Sequence, residues 1–116
     1  MKSRFEIFDF PVFGGHFIHV EVAKDIRKAA AKYPTAKDLV AEMDEETFAV
    51  TVTDTSKNMS FIFFPPSATP GDIAHEAWHA IRQMMIHKGV ELDSETVAYH
   101  LGYLVDKIFK LMRRRK

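Results

Sequence analysis

Residues 47–89 read TFAVTVTDTSKNMSFIFFPPSATPGDIAHEAWHAIRQMMIHKG. The runs Thr47–Thr53 and Met59–Phe64 are β-branched and aromatic, and Asp54–Asn58 between them has turn chemistry, so the spacing predicts a hairpin. Pro65-Pro66 ends it. Thr69-Pro70-Gly71-Asp72 then supplies a hydroxyl cap, a proline at the first helical position and an acid three residues past the cap. These are the signals that open a helix, here one running to Lys88 and stopped by Gly89. A second helix is expected from Asp93 or Ser94 to about Met112.

Toward the N-terminus, Phe5–Phe10 alternates and reads as a strand, Pro11 and Gly14-Gly15 mark a turn, and His16–Val22 alternates again. Ile18, Val20 and Val22 share one face of that second segment; Phe17, His19 and Glu21 share the other. Ala23–Lys32 is alanine-rich and helical in character, ending before Pro34 because the residue ahead of proline avoids helical geometry. A short helix over Ala36–Met43 follows. Strands followed by helices predict an α+β fold in one domain spanning residues 1–116. Residues 1–64 form a small antiparallel sheet with helices, residues 69–112 two packed helices, and residues 113–116 a basic tail.

The chain has 116 residues, 47% hydrophobic and 28% charged, with sixteen basic residues against sixteen acidic ones. That balance suits a globular chain and creates no field that would favour nucleic acid or an anionic membrane. Cysteine is absent, which removes disulfides, thiolate catalysis and cysteine-based zinc sites and leaves His and carboxylates as the metal-binding donors. The N-terminus lacks the apolar stretch of a signal peptide, and no run has the length of a membrane span. A cytoplasmic protein with no membrane partner is expected.

Within the first C-terminal helix, His75-Glu76-Ala77-Trp78-His79 forms HExxH. Residues four apart stand on adjacent turns of one helical face, so both imidazoles can reach a single ion. Glu76 is turned about 100° from His75, beside the ion, where a base that activates water belongs. Zinc lowers the pKa of its water toward neutrality, within reach of a carboxylate base. Ile73, Ala74, Ala77, Trp78, Ile81, Met84 and Met85 make an apolar arc for the core, with His75 and His79 at its margin. The second helix is expected to supply a third ligand. Glu95, Tyr99, Gly102 and Asp106 form one stripe on it, beside a core face of Val97, Ala98, Leu101, Leu104, Val105, Ile108 and Met112. Gly102 permits close approach of another helix. Glu95 is the first choice; His100 and Asp106 are the alternatives.

HEAWH followed by ETVAY resembles the gluzincin class of zinc metallopeptidases, whose pattern is HExxH, a variable gap, and a glutamate on the next helix. Residues 71–105 also resemble short phage and prophage proteins with an AHExxHA…DxExxAY arrangement. The resemblance covers about the C-terminal 45 residues. It implies a zincin-like fold, Zn2+ at His75, His79 and Glu95, Glu76 as general base, and a peptide or protein substrate. In larger members an edge strand beside the active-site helix pairs with the substrate main chain, and Met59–Phe64 is the matching segment. Those members carry an acid four residues beyond the ligand glutamate; Tyr99 stands there in this chain. Tyr99, His100 and Tyr103 are the candidates for stabilising an oxyanion.

The remaining features read as structural. His16 and His19 face opposite sides of a strand and are poor joint ligands. His87 suits a helix C-terminus. Trp78 and the Phe61-Phe63-Phe64 cluster are expected in the core. The tail Arg113–Lys116 has no interleaved aromatic residues, so no nucleic-acid reading surface is expected.

Overall fold

A computed structural model describes residues 4–10, 15–40 and 48–113, with the side chains of all but 39 and 40. The expected turn at 11–14, the end of the second short helix beyond residue 40, the start of the third strand at Thr47 and the tail residues 114–116 lie outside the described residues.

The elements run β1 (Arg4–Phe10), β2 (His16–Val22), α1 (Ile26–Ala30), α2 (Pro34–Val40), β3 (Val50–Asp54), β4 (Met59–Phe64), α3 (Pro70–His87) and α4 (Ser94–Arg113). The fold is α+β, as the order of strand and helix signals predicts. The four strands form one sheet in the order β1-β2-β4-β3. Strands β1 and β2 pair antiparallel from Arg4–Val22 to Phe10–His16. The hairpin of β3 and β4 is antiparallel from Val50–Phe63 to Asp54–Met59.

The sheet differs from the antiparallel one expected in a single place: β2 and β4 are parallel, from Phe17–Met59 to Val22–Phe64. Parallel neighbours need a long crossover connection, and the segment holding α1 and α2 supplies it. That arrangement also moves β4 to the interior of the sheet. The open edge beside the hairpin is therefore β3, which pairs only with β4 among the described residues. The expectation that Met59–Phe64 is the edge strand is corrected accordingly.

Each face of the sheet carries its own core. Phe8, Phe10, Ile18, Val20, Val22, Ile62 and Phe64 pack with Ile73, Ala77, Ile81, Met84 and Met85 of α3 and with Leu104, Ile108 and Leu111 of α4. On the other face, Val52, Phe61 and Phe63 pack with Ile26, Ala29, Ala30 and Ala36. Because α1 and α2 cover that side, His19 and Glu21 are buried there. The Glu21 carboxylate accepts from His19 Nε2 at 3.0 Å, Tyr33 Oη at 2.8 Å and Lys32 Nζ at 2.7 Å. These donors help to keep the buried carboxylate tolerable. Burial and the bond to Glu21 raise the Tyr33 phenol above its ordinary range.

The two C-terminal helices follow their local signals closely. Thr69 caps α3 in a reciprocal box with Asp72, and Gly89 turns the chain away at φ 71°. Asp93 Oδ1 accepts from the Thr96 N–H at the start of α4. The buried arc of α3 is displaced from the expected one: Ala80 and Glu76 are buried, whereas Ala74 is exposed and Trp78 is 37% exposed. Trp78 is thus a surface residue of the helix, correcting its expected place in the core. The shift follows from the seating of α3 on the β3 side of the sheet, which draws the next residues round the helix inward.

On the face beneath α3, His16 is fully buried. Its Nε2 shares a 2.9 Å bond with Ser60 Oγ, and Ser60 bonds Thr53 at 2.9 Å. Among the described residues its Nδ1 has no hydrogen-bond partner. Burial, reinforced by the charges of Lys88 and His87, pushes the His16 pKa from 6.5 down to about 4. The folded state therefore holds this ring neutral while the unfolded chain takes up a proton below pH 6.5. The stabilisation is complete above that value and is lost as the pH falls from 6.5 to about 4. Urea denaturation at pH 4.5 and pH 7 checks this. The parent is expected to lose about 2–3 kcal/mol at the lower pH through this group, and His16→Gln is expected to abolish that share of the difference.

Candidate metal centre

α3 is long enough to display the HExxH residues over adjacent turns, and its rotation decides where each one points. Ile73, Ala77, Ile81 and Met84 are buried in the core cluster. Glu76 occupies one margin of this buried arc, on the side of β3, and is 8% exposed. His75 and His79 lie beyond it, His75 exposed and His79 half-buried.

The two imidazoles converge. His75 Nε2 and His79 Nε2 are 3.2 Å apart, with ring centroids 4.7 Å apart and ring planes at 84°. Two zinc-binding imidazoles, each ~2.0–2.1 Å from the ion at a near-tetrahedral angle, hold their nitrogens about 3.3 Å apart. The observed separation is close to that spacing. The same distance also suits a single N–H···N bond between the rings.

Glu76 completes the local arrangement. Its Oε2 is 3.9 Å from His75 Nε2, too far for a direct hydrogen bond and beside the converging nitrogens. Its Oε1 accepts from the Thr51 hydroxyl at 2.8 Å, and that hydroxyl also lies 3.1 Å from the Glu76 main-chain oxygen. Thr51 is the functional neighbour that sequence reasoning missed. Its only signal was the alternation of hydroxyls at Thr51 and Thr53, which puts both on one face of a strand. Nothing in the sequence says that α3 lies over that face.

α4 takes a different position. The Arg4 guanidinium of β1 donates to the main-chain oxygens of Leu111 and Met112, and Phe10 of β1 packs against the rings of His100 and Tyr103. α4 therefore sits toward the β1 edge, whereas Glu76 is tied to β3 at the opposite edge. The expected stripe of Glu95, Tyr99, Gly102 and Asp106 is exposed along its whole length, and Tyr99 is 77% exposed. Among the described residues a Cβ added at Gly102 meets nothing within 4 Å. The expected close helix approach at Gly102 is thus corrected: α3 packs against the adjoining stripe.

The sequence-derived ligand set is brought together in part. His75, His79 and the flanking Glu76 converge, but Glu95 does not join them. Among the described residues no group of three His, Cys, Asp or Glu side chains is arranged to hold a metal ion. His100 Nδ1 bonds the Thr96 carbonyl oxygen at 2.8 Å, which fixes its ring on α4 next to Phe10. Asp106 lies on the exposed stripe. No protein-family model, curated protein or solved structure matches the chain.

The geometry generates a comparison of ligands by zinc titration. His79→Ala is expected to weaken zinc binding at least ~100-fold, because one of the two converging nitrogens is removed. Glu95→Gln, at the ligand position that the resemblance implies on α4, is expected to weaken zinc binding roughly 10-fold. An affinity in Glu95→Gln equal to that of the parent would mean that Glu95 stays on the exposed stripe and takes no part in holding the ion.

Proposed function

We propose that the protein is a small zinc-dependent peptidase that hydrolyses peptide bonds, with Glu76 as the general base. The observation that carries the reading is the 3.2 Å approach of the two Nε2 atoms beside a carboxylate that is mostly withdrawn from solvent. His75 and His79 bring their Nε2 atoms close to the spacing that two ligands of one ion need. A zinc ion held by them would supply Lewis acidity and bring the pKa of water to about neutrality. Glu76 Oε2 takes the proton of the attacking water and passes it to the departing amine. Glu95 is the third donor that the gluzincin resemblance implies; it stands exposed on α4 and would reach the ion with the first turn of α4 drawn inward. Tyr99 is the candidate for the oxyanion from the same helix.

The substrate class rests on β3. Its outer edge, alongside α3, offers main-chain groups to which an extended peptide can add as a fifth strand. That edge carries Thr51, so a peptide paired there runs past the carboxylate that serves as base. Among the described residues no helix is long and apolar enough to cross a membrane. The absence of cysteine fits a reducing compartment, and we place the protein in the cytoplasm, where a phage or prophage origin would also put it.

A second reading has one observation in its favour. With only two ligands converging among the described residues, the domain can be a binding or assembly module that keeps the metallopeptidase arrangement with a structural metal or none. A structural zinc is closed by four protein ligands, whereas a catalytic one keeps a position open.

The two readings separate in one experiment. The parent protein is expected to bind about one zinc per chain and to cleave a quenched fluorescent peptide library. Glu76→Gln is expected to retain the zinc and lose at least ~100-fold in cleavage. Activity in Glu76→Gln equal to that of the parent contradicts the assigned base; zinc binding without cleavage by the parent favours the binding module.

A further inference from the structure

We propose that Thr51 is a positioning residue for Glu76: its hydroxyl holds one carboxylate oxygen so that the other faces the imidazole pair. The inference rests on the hydrolytic reading above and adds to it a residue that HExxH does not contain. The two oxygens of Glu76 are in different circumstances. Oε1 is occupied by the Thr51 hydroxyl at 2.8 Å, and Oε2 is 3.9 Å from His75 Nε2. A glutamate side chain has three rotatable bonds, and one on the margin of a helix can swing its carboxylate outward to water. The bond to Thr51 opposes that swing and selects the oxygen that receives the proton. Charge assistance makes a hydroxyl-to-carboxylate bond shorter and stronger than a neutral one.

The partner is also well supported. Thr51 pairs with Ile62 in the β3–β4 ladder, so its main chain is fixed by the sheet. Its Cβ branch restricts the side chain torsion. The Glu76 main-chain oxygen, 3.1 Å from the hydroxyl, can share its single proton as the longer arm of a bifurcated bond, so strand and helix meet at Glu76. Thr51 does not touch the reacting atoms; it acts through Glu76. Its position on the open-edge strand means that pairing of a peptide with β3 and orientation of the base are set by one piece of backbone.

The test compares Thr51→Val, which keeps the shape and loses the hydroxyl, with Thr51→Ser, which keeps the hydroxyl. Crystal structures of both metal-free variants give a readout that does not depend on activity. In Thr51→Ser, Glu76 is expected to keep its orientation; in Thr51→Val, its carboxylate is expected to leave the imidazole pair or to occupy several conformers. A Glu76 carboxylate unmoved in Thr51→Val overturns the inference whatever the activity.

On the best-cleaved library peptide, Thr51→Val is expected to lose roughly 10-fold to 100-fold in kcat with KM and zinc affinity unchanged. Thr51→Ser is expected to restore most of it. In a Glu76→Gln background Thr51→Val is expected to remove nothing further. Equal losses in the Val and Ser variants, or a full further loss in the Glu76→Gln background, mean that Thr51 only supports the fold. A parent with no zinc-dependent cleavage overturns the hydrolytic reading instead, and the structures of the variants still decide what Thr51 does to Glu76.

Discussion

The seating of α3 on the β3–β4 side of the sheet is the constraint from which the rest of the site follows. Helical period alone puts His75 and His79 on one face and Glu76 about 100° away, but it leaves the rotation of the helix undecided. The buried arc decides it. Ile73, Ala77, Ala80, Ile81 and Met84 go inward, which turns Glu76 toward β3 and leaves the imidazoles at the rim. A buried carboxylate without a donor would oppose that rotation. The Thr51 hydroxyl removes the conflict, so the packing of the helix and the orientation of its acid are satisfied together.

The same seating explains the place of α4. With α3 over β3 and β4, the uncovered part of that sheet face lies over β1 and β2, and the apolar stripe of α4 fills it with Leu104, Ile108 and Leu111. Arg4 fastens the end of α4 to β1 through two main-chain carbonyls. The outward stripe of α4, which carries Glu95 and Tyr99, is thereby directed to solvent. Filling the core is the demand that α4 meets in the structure described; the ligand role proposed for Glu95 would call for movement at its N-terminal turn.

What could be read from the sequence divides along the distance between interacting residues. α3 was legible at both ends because its signals are local: Thr69 and Asp72 at the start, and Gly89 at the stop. The pairing of His75 with His79 was legible for the same reason, since four residues on a helix make one turn. The β3–β4 hairpin was legible from its short turn. By contrast, nothing local in Met59–Phe64 announces that its second neighbour is β2 in parallel, because that pairing depends on where residues 23–49 carry the chain. The burial of Glu76 and the exposure of Trp78 were not legible either: hydrophobicity ranks Trp78 for the core, and only the position of β3 reverses the order. Thr51 belongs with these, as a strand hydroxyl whose meaning depends on a helix that begins 19 residues later.

The account depends on His75 and His79 serving a single ion instead of bonding to each other. A crystal structure of the protein grown with zinc, with anomalous data at the zinc edge, tests this most directly. The account predicts one anomalous peak between the two Nε2 atoms, with a Glu76 oxygen facing it and Thr51 still bonded to the other oxygen. No peak at that point, with the rings joined by an N–H···N bond or pointing apart, would contradict it.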